Sequence, residues 1–503
     1  MLLPVPWGEK MKLKVDRNAR VPIYLQLSQQ IRELIFNGSL VDGYSLPSER
    51  ALAGELGVHR NTIVRAYSEL RDEGLLTSYQ GVGYRVRYKS IYEGMIKKNV
   101  NWEALVRDDF TDFQMDFDEL FSRSYEADII SFGGGVAARE PYRPDEIADV
   151  LSRALNRKRD NAYFYTPYKG DPQLRRRISE FMSLKGVITK PGNIQILSGN
   201  NQALDFILDL MLSPGDRILA QEPLSPDVHR TIKLAGGKLI TVPVDEDGMI
   251  CDNLEAIIES EHPRFIYVDS SFSNPTGAFL TIERRRKLLE LSYRYRIPII
   301  EDDEGSELYY DIDRVPSIKS MDEGNNVIYM YSFSLTMMPG ISVSFVVADR
   351  MIIEKLSGMV SVRIASLDWT PQMLMLEYMN DGIFFRRLDE FRNICRIKRD
   401  IMCSYLDEIS AESGLSYIRP KGGVYIWVRL PDGIDSRKLL EELQKQGVTF
   451  IPGHVFYLKK TAGNDRMRLN YSYPTEDEIR KGMVKLRKII KKFKQNIQIK
   501  TLL

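Results

Sequence analysis

The sequence predicts two bodies of different class, a small α+β head and a large α/β body. Two observations predict them. Residues 15–88 order as a long helix, two short helices around a tight turn, and two alternating strands. From Asp128 onward, short apolar runs alternate with helical stretches, the pattern of a mostly parallel sheet covered on both faces. The 503 residues suffice for two or three domains. Hydrophobic residues make up 43% and charged residues 28%, an ordinary globular mix.

A net charge of +1 names no partner for the whole chain, although a local basic patch still can. The three cysteines, Cys251, Cys395 and Cys403, show neither zinc-site nor redox spacing and read as free buried thiols. No run of 18 apolar residues and no cleavable signal is present, so a cytoplasmic protein without a membrane span is expected.

In the head, "VPIYLQLSQQIRELIFNGSL" places Tyr24, Leu27, Ile31, Leu34 and Ile35 on one helical face, with Gly38 as the stop. "LPSERALAGELGV" follows, with Ser48 as N-cap, Leu52 and Leu56 as the buried side, and Gly57 as the turn. "HRNTIVRAYSELRDEGLL" forms the next helix, apolar at Ile63, Ala66, Tyr67 and Leu70. Its other face carries Arg60, Asn61, Thr62 and Arg65. "LLTSYQGVGYRVRY" makes two short strands around glycines Gly81 and Gly83, with Arg85 and Arg87 within reach of phosphates. This order is a winged helix-turn-helix, whose second helix enters the major groove and offers its first side chains to the bases. Read without that order, the same residues make a small helical cap with a solvated polar face.

"LPSERALAGELGVHRNTIVRAYSELRDEGLL" resembles the signature of the GntR family of bacterial transcription regulators, over residues 21–88. The resemblance implies double-stranded operator DNA as partner, contacted by Arg50, Arg60, Thr62 and the wing glycines. His59 stands where that family has serine, which puts one cap or phosphate contact in question.

Residues 89–127 are charged, carry the isolated aromatics Trp102, Phe113, Phe117 and Phe121, and show no strand pattern. They read as a linker with short helices.

In the body, residues 128–503, the strand-like runs are "NIQILSG", "DRILAQEP", "RFIYVDSS", "IPIIEDD" and "VIYMYSFS". Ligands in such sheets sit beyond the carboxyl ends of the strands, and four turns there carry polar groups. "SGNNQAL" opens a helix, with Gly199, Asn200 and Asn201 at a start that suits a phosphate. "SNPTG" supplies Asn274, "IIEDDEGSEL" supplies Asp302 and Asp303, and "YSFSL" supplies Ser332 and Ser334. Each alone reads as a cap or a tight turn. In this order, with "YFYTPYKGDPQLRRRIS", "PKGGVYIWVRLP" and "RMRLNYSYP", they resemble the fold-type I aminotransferases, which depend on pyridoxal phosphate. The implied fold is a winged helix-turn-helix domain followed by an α/β fold-type I aminotransferase-like domain, with a large parallel-sheet part and a smaller C-terminal part from about residue 397. A GntR head on such a body is the MocR arrangement of regulators.

That resemblance implies roles. Asp302 matches the aspartate that pairs with the pyridine nitrogen, through a charge-assisted bond. Asn274 matches the asparagine on the ring hydroxyl. Phosphate falls to the Gly199–Asn201 helix start, to Ser332 and Ser334, and to Tyr165 of a partner subunit, since such sites form at a homodimer boundary. Arg468 matches the arginine that grips a substrate carboxylate. The departures cluster in "SFSLTMMPGISVS". Leu335 stands at the Schiff-base lysine, Ser342 at a phosphate-binding arginine, Ser344 at a glycine, and Glu304 at a tyrosine. Leucine is neither nucleophile nor base, and a lost charged donor costs about 1.5–3 kcal/mol of anion binding.

The expected function is a dimeric, cytoplasmic DNA-binding regulator with no covalent pyridoxal phosphate and no catalytic residue. Its small-molecule effector is non-covalent pyridoxal 5′-phosphate, an amino-acid-like carboxylate on Arg468, or another ligand; an empty dimerising scaffold is the plainer alternative. The competing reading is an enzyme of altered chemistry that holds its cofactor without a covalent bond. His454 in "IPGHVFY" reads as a packed loop residue rather than a pocket group.

Overall fold

The structure is a computed structural model that describes residues 11, 13–19, 21–79, 83–88, 126, 128–135, 140–141, 143–157, 164–337, 340–459 and 461–502. Gly81 and nearly all of the expected linker, with its aromatics, lie outside the described residues. The chain divides into two compact units, Met1–Arg107 and Asp108–Leu503, each taken by itself below.

In the first unit the helices are α1 (Ile23–Phe36), α2 (Glu49–Leu56) and α3 (Arg60–Asp72), followed by the antiparallel pair β1 (Leu76–Tyr79) and β2 (Gly83–Val86). The expected apolar face of α1 is buried at Leu27, Ile31 and Ile35, while Tyr24 and Leu34 are half-buried at its margin. Ser48 caps α2, its hydroxyl accepting the Ala51 N–H at 3.2 Å. Gly57 turns the chain with φ +63°, a left-handed value that side-chain-bearing residues adopt at a cost. Ile63, Ala66, Tyr67 and Leu70 of α3 are fully buried against these helices.

The second unit is built on an eight-stranded sheet, ordered β4 (Ile194–Leu197), β11 (Ser344–Val347), β10 (Val327–Ser332), β9 (Ile299–Asp302), β8 (Phe265–Asp269), β5 (Arg217–Glu222), β6 (Lys238–Asp245) and β7 (Gly248–Met249). The five strands from β10 to β6 pair parallel, and β4, β11 and β7 join antiparallel at the two edges. The sheet is thus parallel at its centre and mixed at its edges. Central strands such as β10 are buried at every residue, as expected where helices cover both faces. A second, antiparallel sheet joins β12 (Ser416–Tyr417), β13 (Tyr425–Arg429), β16 (Arg466–Asn470) and β15 (Ile451–Pro452). A short parallel pair, β3 (Ile130–Ser131) with β14 (Val448–Thr449), lies apart. Residue 397, the expected start of the smaller part, falls inside the 31-residue helix Ile383–Ser413, which packs on the final helix Glu476–Leu502. All three cysteines are buried and free.

One face of β9 is tied to a buried charged network. Asp303, just past the strand, accepts hydrogen bonds from Tyr329 at 2.9 Å and Ser271 at 2.7 Å, and pairs with Lys185 at 3.1 Å. Lys185 also meets Glu307 at 3.2 Å. Burial alone would raise the Asp303 carboxyl, but the charges of Lys185 and Arg285 hold it below the usual range. Removing one partner strands a charge in the core. Lys185→Ala is therefore expected to lower stability by roughly 3–5 kcal/mol. The exposed Lys190 changed to Ala should shift it by less than about 0.5 kcal/mol. The urea midpoints of the two variants check this, and equal midpoints would contradict it.

Candidate functional site

In the first unit, Arg50, Arg60, Asn61, Arg65 and Arg85 are exposed and Thr62 is half-buried. The start of α3 is organised by its own side chains. His59 caps the helix, its Nδ1 accepting the Asn61 N–H at 3.3 Å, so the serine-to-histidine departure keeps the cap. Arg60 pairs with Glu49 at 3.0 Å, and Arg65 lies 3.9 Å from the centre of the Tyr24 ring. Neither is sequestered, and an exposed pair of this kind is worth little, so both guanidinium groups remain available to an anionic surface. Gly83, with φ +97°, opens β2, and Arg85 stands on the same strand 5.6 Å from the Tyr79 ring.

In the second unit the polar turns converge. Parallel register sets Asp269 beside Asp302 and Asp302 beside Met330, so β8 and β9 end together and β10 runs on to Ser332. Beyond their ends opens a cavity of about 370 Å³. Asp302 accepts from Asn200 Nδ2 at 2.9 Å and from the Tyr267 hydroxyl at 3.0 Å. Asn274 donates its backbone N–H to Asp269 at 2.9 Å, and its side-chain oxygen accepts from Arg468 Nη1 at 2.8 Å. Arg468 also donates to the Gly133 carbonyl at 2.7 Å and lies 4.4 Å from the Tyr425 ring. At the mouth of β10, the Ser332 hydroxyl accepts the Ser334 N–H at 3.1 Å. The Glu304 carboxyl lines the same wall as Ser332 and Leu335, whose hydroxyl and backbone N–H counter part of the rise that burial imposes on it. Gly199 precedes the helix Asn200–Met211 with φ +89°, and a Cβ there would come within 3.0 Å of Ser342 Oγ.

The structure thus gathers Gly199, Asn200, Asn201, Asn274, Asp302, Ser332, Ser334 and Arg468 around one cavity, with Leu335 and Ser342 in the same wall. Tyr165 is 83% exposed and does not line it. Nor does His454. Sequence reasoning missed Tyr267, Asp269 and Asp227, which also line the cavity. Tyr267 and Asp269 share a strand face at period two with a sheet end, a signal available in "RFIYVDSS".

The electrostatics are acidic. Burial pushes the Asp302 carboxyl up to about 6. Burial and then the neighbouring Asp302 push Glu304 up to about 8, and the same causes raise Asp269 well above its ordinary value. Among the described residues no lysine and no histidine lines the cavity. No group of three or more His, Cys, Asp or Glu among the described residues is arranged to hold a metal ion.

Residues 130–486 match the family model of aminotransferase class I and II. The chain belongs to that family. Residues 23–86 match the model of bacterial regulatory proteins of the gntR family, so a GntR helix-turn-helix is fused to a class I and II aminotransferase domain. The 2-aminoadipate transaminase of Thermus thermophilus is 32% identical over 380 residues, 74% of this chain and 93% of that protein. The probable rhizopine catabolism regulatory protein MocR of Rhizobium meliloti is 26% identical over 460 residues, 88% of each chain. The crystal structure of LysN, an α-aminoadipate aminotransferase from Thermus thermophilus complexed with N-(5′-phosphopyridoxyl)-L-leucine, is similar with a TM-score of 0.73. It is 29% identical, over 78% of this chain and 99% of that one. No helix among the described residues is long and apolar enough to cross a membrane.

The acidic cavity sets a pH dependence. Glu304 keeps its proton to about 8 in the fold against an ordinary 4.5. Between those values the folded state binds the extra proton, so stability falls as pH rises through the window. Thermal unfolding of the wild type should drop in midpoint across that range, and Glu304→Gln should flatten the drop. An unchanged slope in the variant would place the titration elsewhere.

Proposed function

We propose that this chain is a homodimeric, DNA-binding transcription regulator whose aminotransferase body senses a small ligand and does not transaminate. The observation that carries the reading is Leu335 in the wall of the cavity, beside Asp302 and Asn274, where a pyridoxal-phosphate enzyme of this family needs its lysine. A leucine provides neither the covalent anchor nor the base that moves the substrate proton.

The donor set of the cavity bears on whether the family's cofactor fits. Asp302 and Asn274 suit the ring nitrogen and ring hydroxyl of pyridoxal phosphate. The aldehyde end meets no lysine among the described lining residues. The phosphate end has no cation among the described lining residues apart from Arg468, which is engaged by Asn274 and Gly133. The Glu304 carboxyl lines the same wall as Ser332 and Leu335 and offers a phosphate no counter-charge. The described lining residues thus supply neither a covalent anchor nor an unengaged cation for the phosphorylated cofactor, and do not fit it.

The head supports the DNA reading. Arg60 and Asn61 stand exposed at the start of α3, where such helices meet base edges, and Arg85 on the wing is placed for a phosphate. The exposed Tyr165 is the group a partner subunit would lend across a dimer boundary. Ligand binding shifts operator affinity only by its differential affinity for the two conformational states, about 1.4 kcal/mol for each factor of ten.

Fluorescence anisotropy with the DNA upstream of the protein's own coding sequence tests the reading. Binding should be sequence-specific and weaken steeply with salt. Arg60→Ala should cost about 1–3 kcal/mol, and Arg85→Ala should reduce the salt slope by about one. Failure to prefer that DNA over unrelated duplex at any salt concentration sinks the regulator. Transfer of an amino group from any of a panel of amino acids to a keto acid, abolished by Asp302→Ala, sinks the claim of inactivity.

A further inference from the structure

A second cavity, of about 1010 Å³, lies on the other side of the turn that carries Asn274. Among the described residues it shares no lining residue with the cavity above. Asn274 lines the inner cavity, whereas Thr276, Gly277 and Phe279 line the outer one. The turn is the partition. A Cβ on Gly277 would come within 2.7 Å of the Tyr425 carbonyl, so the chain presses there on β13. Side chains two apart on a strand share a face. Tyr425 lines the inner cavity, and Trp427 and Arg429, further along the same face, line the outer one.

The register of β13 and β16 sets Arg429 opposite Arg466, and like charges placed opposite each other on paired strands repel. Little in the fold relieves them. Each guanidinium approaches the same Asp465 carboxylate oxygen at 3.5 Å, longer than an ordinary hydrogen bond, and Arg429 has the fully exposed Asp432 at 3.8 Å. Elsewhere in the lining Arg314 is committed to Glu307 at 2.6 Å and Arg419 to Asp400 at 2.8 Å. The acids are satisfied or face water. Arg284 holds Asp245 at 2.7 Å, and Glu222 accepts the Leu458 N–H at 2.8 Å. Glu246, Asp247 and Asp313 are exposed. The unanswered charge is therefore positive, and it sits beside apolar surface. The half-buried Trp427 meets Phe456 edge to face at 5.5 Å, and Phe279, Tyr457 and the 53% exposed Ile418 line the cavity with it.

We propose that the outer cavity binds a small aromatic carboxylate, its charge gripped by Arg429 and Arg466 and its ring lying against Trp427. An anion between the two guanidinium groups removes their repulsion, and the planar fork of arginine matches a carboxylate in two parallel hydrogen bonds. A flat ring beside the indole buries apolar area on both. The cavity has ample room for a ligand of that size. This site is separate from the sensing role assigned to the inner cavity and does not rest on it.

The probe is 2-naphthoate, titrated into the full-length protein by calorimetry, with 2-naphthamide and acetate in parallel. The amide keeps the ring and lacks the charge; acetate keeps the charge and lacks the ring. Naphthoate is expected to bind once per chain and to weaken with salt. The amide and acetate should each bind at least tenfold more weakly, a difference of about 1.4 kcal/mol. Arg429→Gln and Arg466→Gln should each weaken naphthoate at least tenfold. Both side chains are partly exposed, so the variants should unfold at the wild-type midpoint, and Trp427→Ala serves as a third variant if either does not fold. The inference is overturned if naphthoate does not bind, if the amide or acetate binds as tightly, or if its affinity is unchanged in the folded arginine variants, which would place it in another site.

Discussion

The parallel register of β8, β9 and β10 is the constraint on which the site depends. Because Asp269 and Asp302 end their strands side by side, with Met330 beside them two residues before the end of β10, the turns that follow face a common space. Strand geometry then separates two neighbours with opposite environments. Side chains alternate between faces, so Asp302 looks into the cavity while Asp303, at the strand's end, is sealed against Lys185, Tyr329 and Ser271. Adjacent carboxyls are thereby driven apart, one raised by burial and the other lowered by its cationic partners.

This contrast is the physical argument for a changed site. Behind the sheet each buried acid has a base within reach: Glu301 meets Arg285, and Glu307 meets Lys185, Arg314 and Arg392. In front of it the acids lean on hydroxyl, amide and backbone donors and on each other. An aminotransferase body built around an anionic cofactor needs the reverse balance, with a lysine and a phosphate-binding cation on the cavity side. The proposed loss of transamination is a consequence of that charge distribution.

Much of this was legible in the sequence because it is local. The helix-turn-helix follows from apolar spacing at Ile63, Ala66, Tyr67 and Leu70, from the Ser48 cap and from the Gly57 turn, all of which the structure bears out. Asn274, Asp302 and Ser332 were findable because polar residues at strand ends are conspicuous, whereas Arg468, in the middle of β16, was reached only through the family resemblance. What was hidden is tertiary. Glu304 could be read as an acidic intruder, but the fold alone sets it in one cavity wall with Ser332 and Leu335, across turns after two different strands. Nor did the sequence reading resolve β6 and β11, where "LITVPVD" and "SFVVAD" carry ordinary strand patterns on or near the sheet's edges. At His59 the residue type raised a doubt that geometry removes, since an imidazole nitrogen caps α3 as a serine oxygen would.

The most direct test is mass spectrometry of the small molecules released when freshly purified protein is denatured. Pyridoxal and pyridoxamine phosphate are expected to be absent. Release of either phosphate in an amount matching the protein would contradict it.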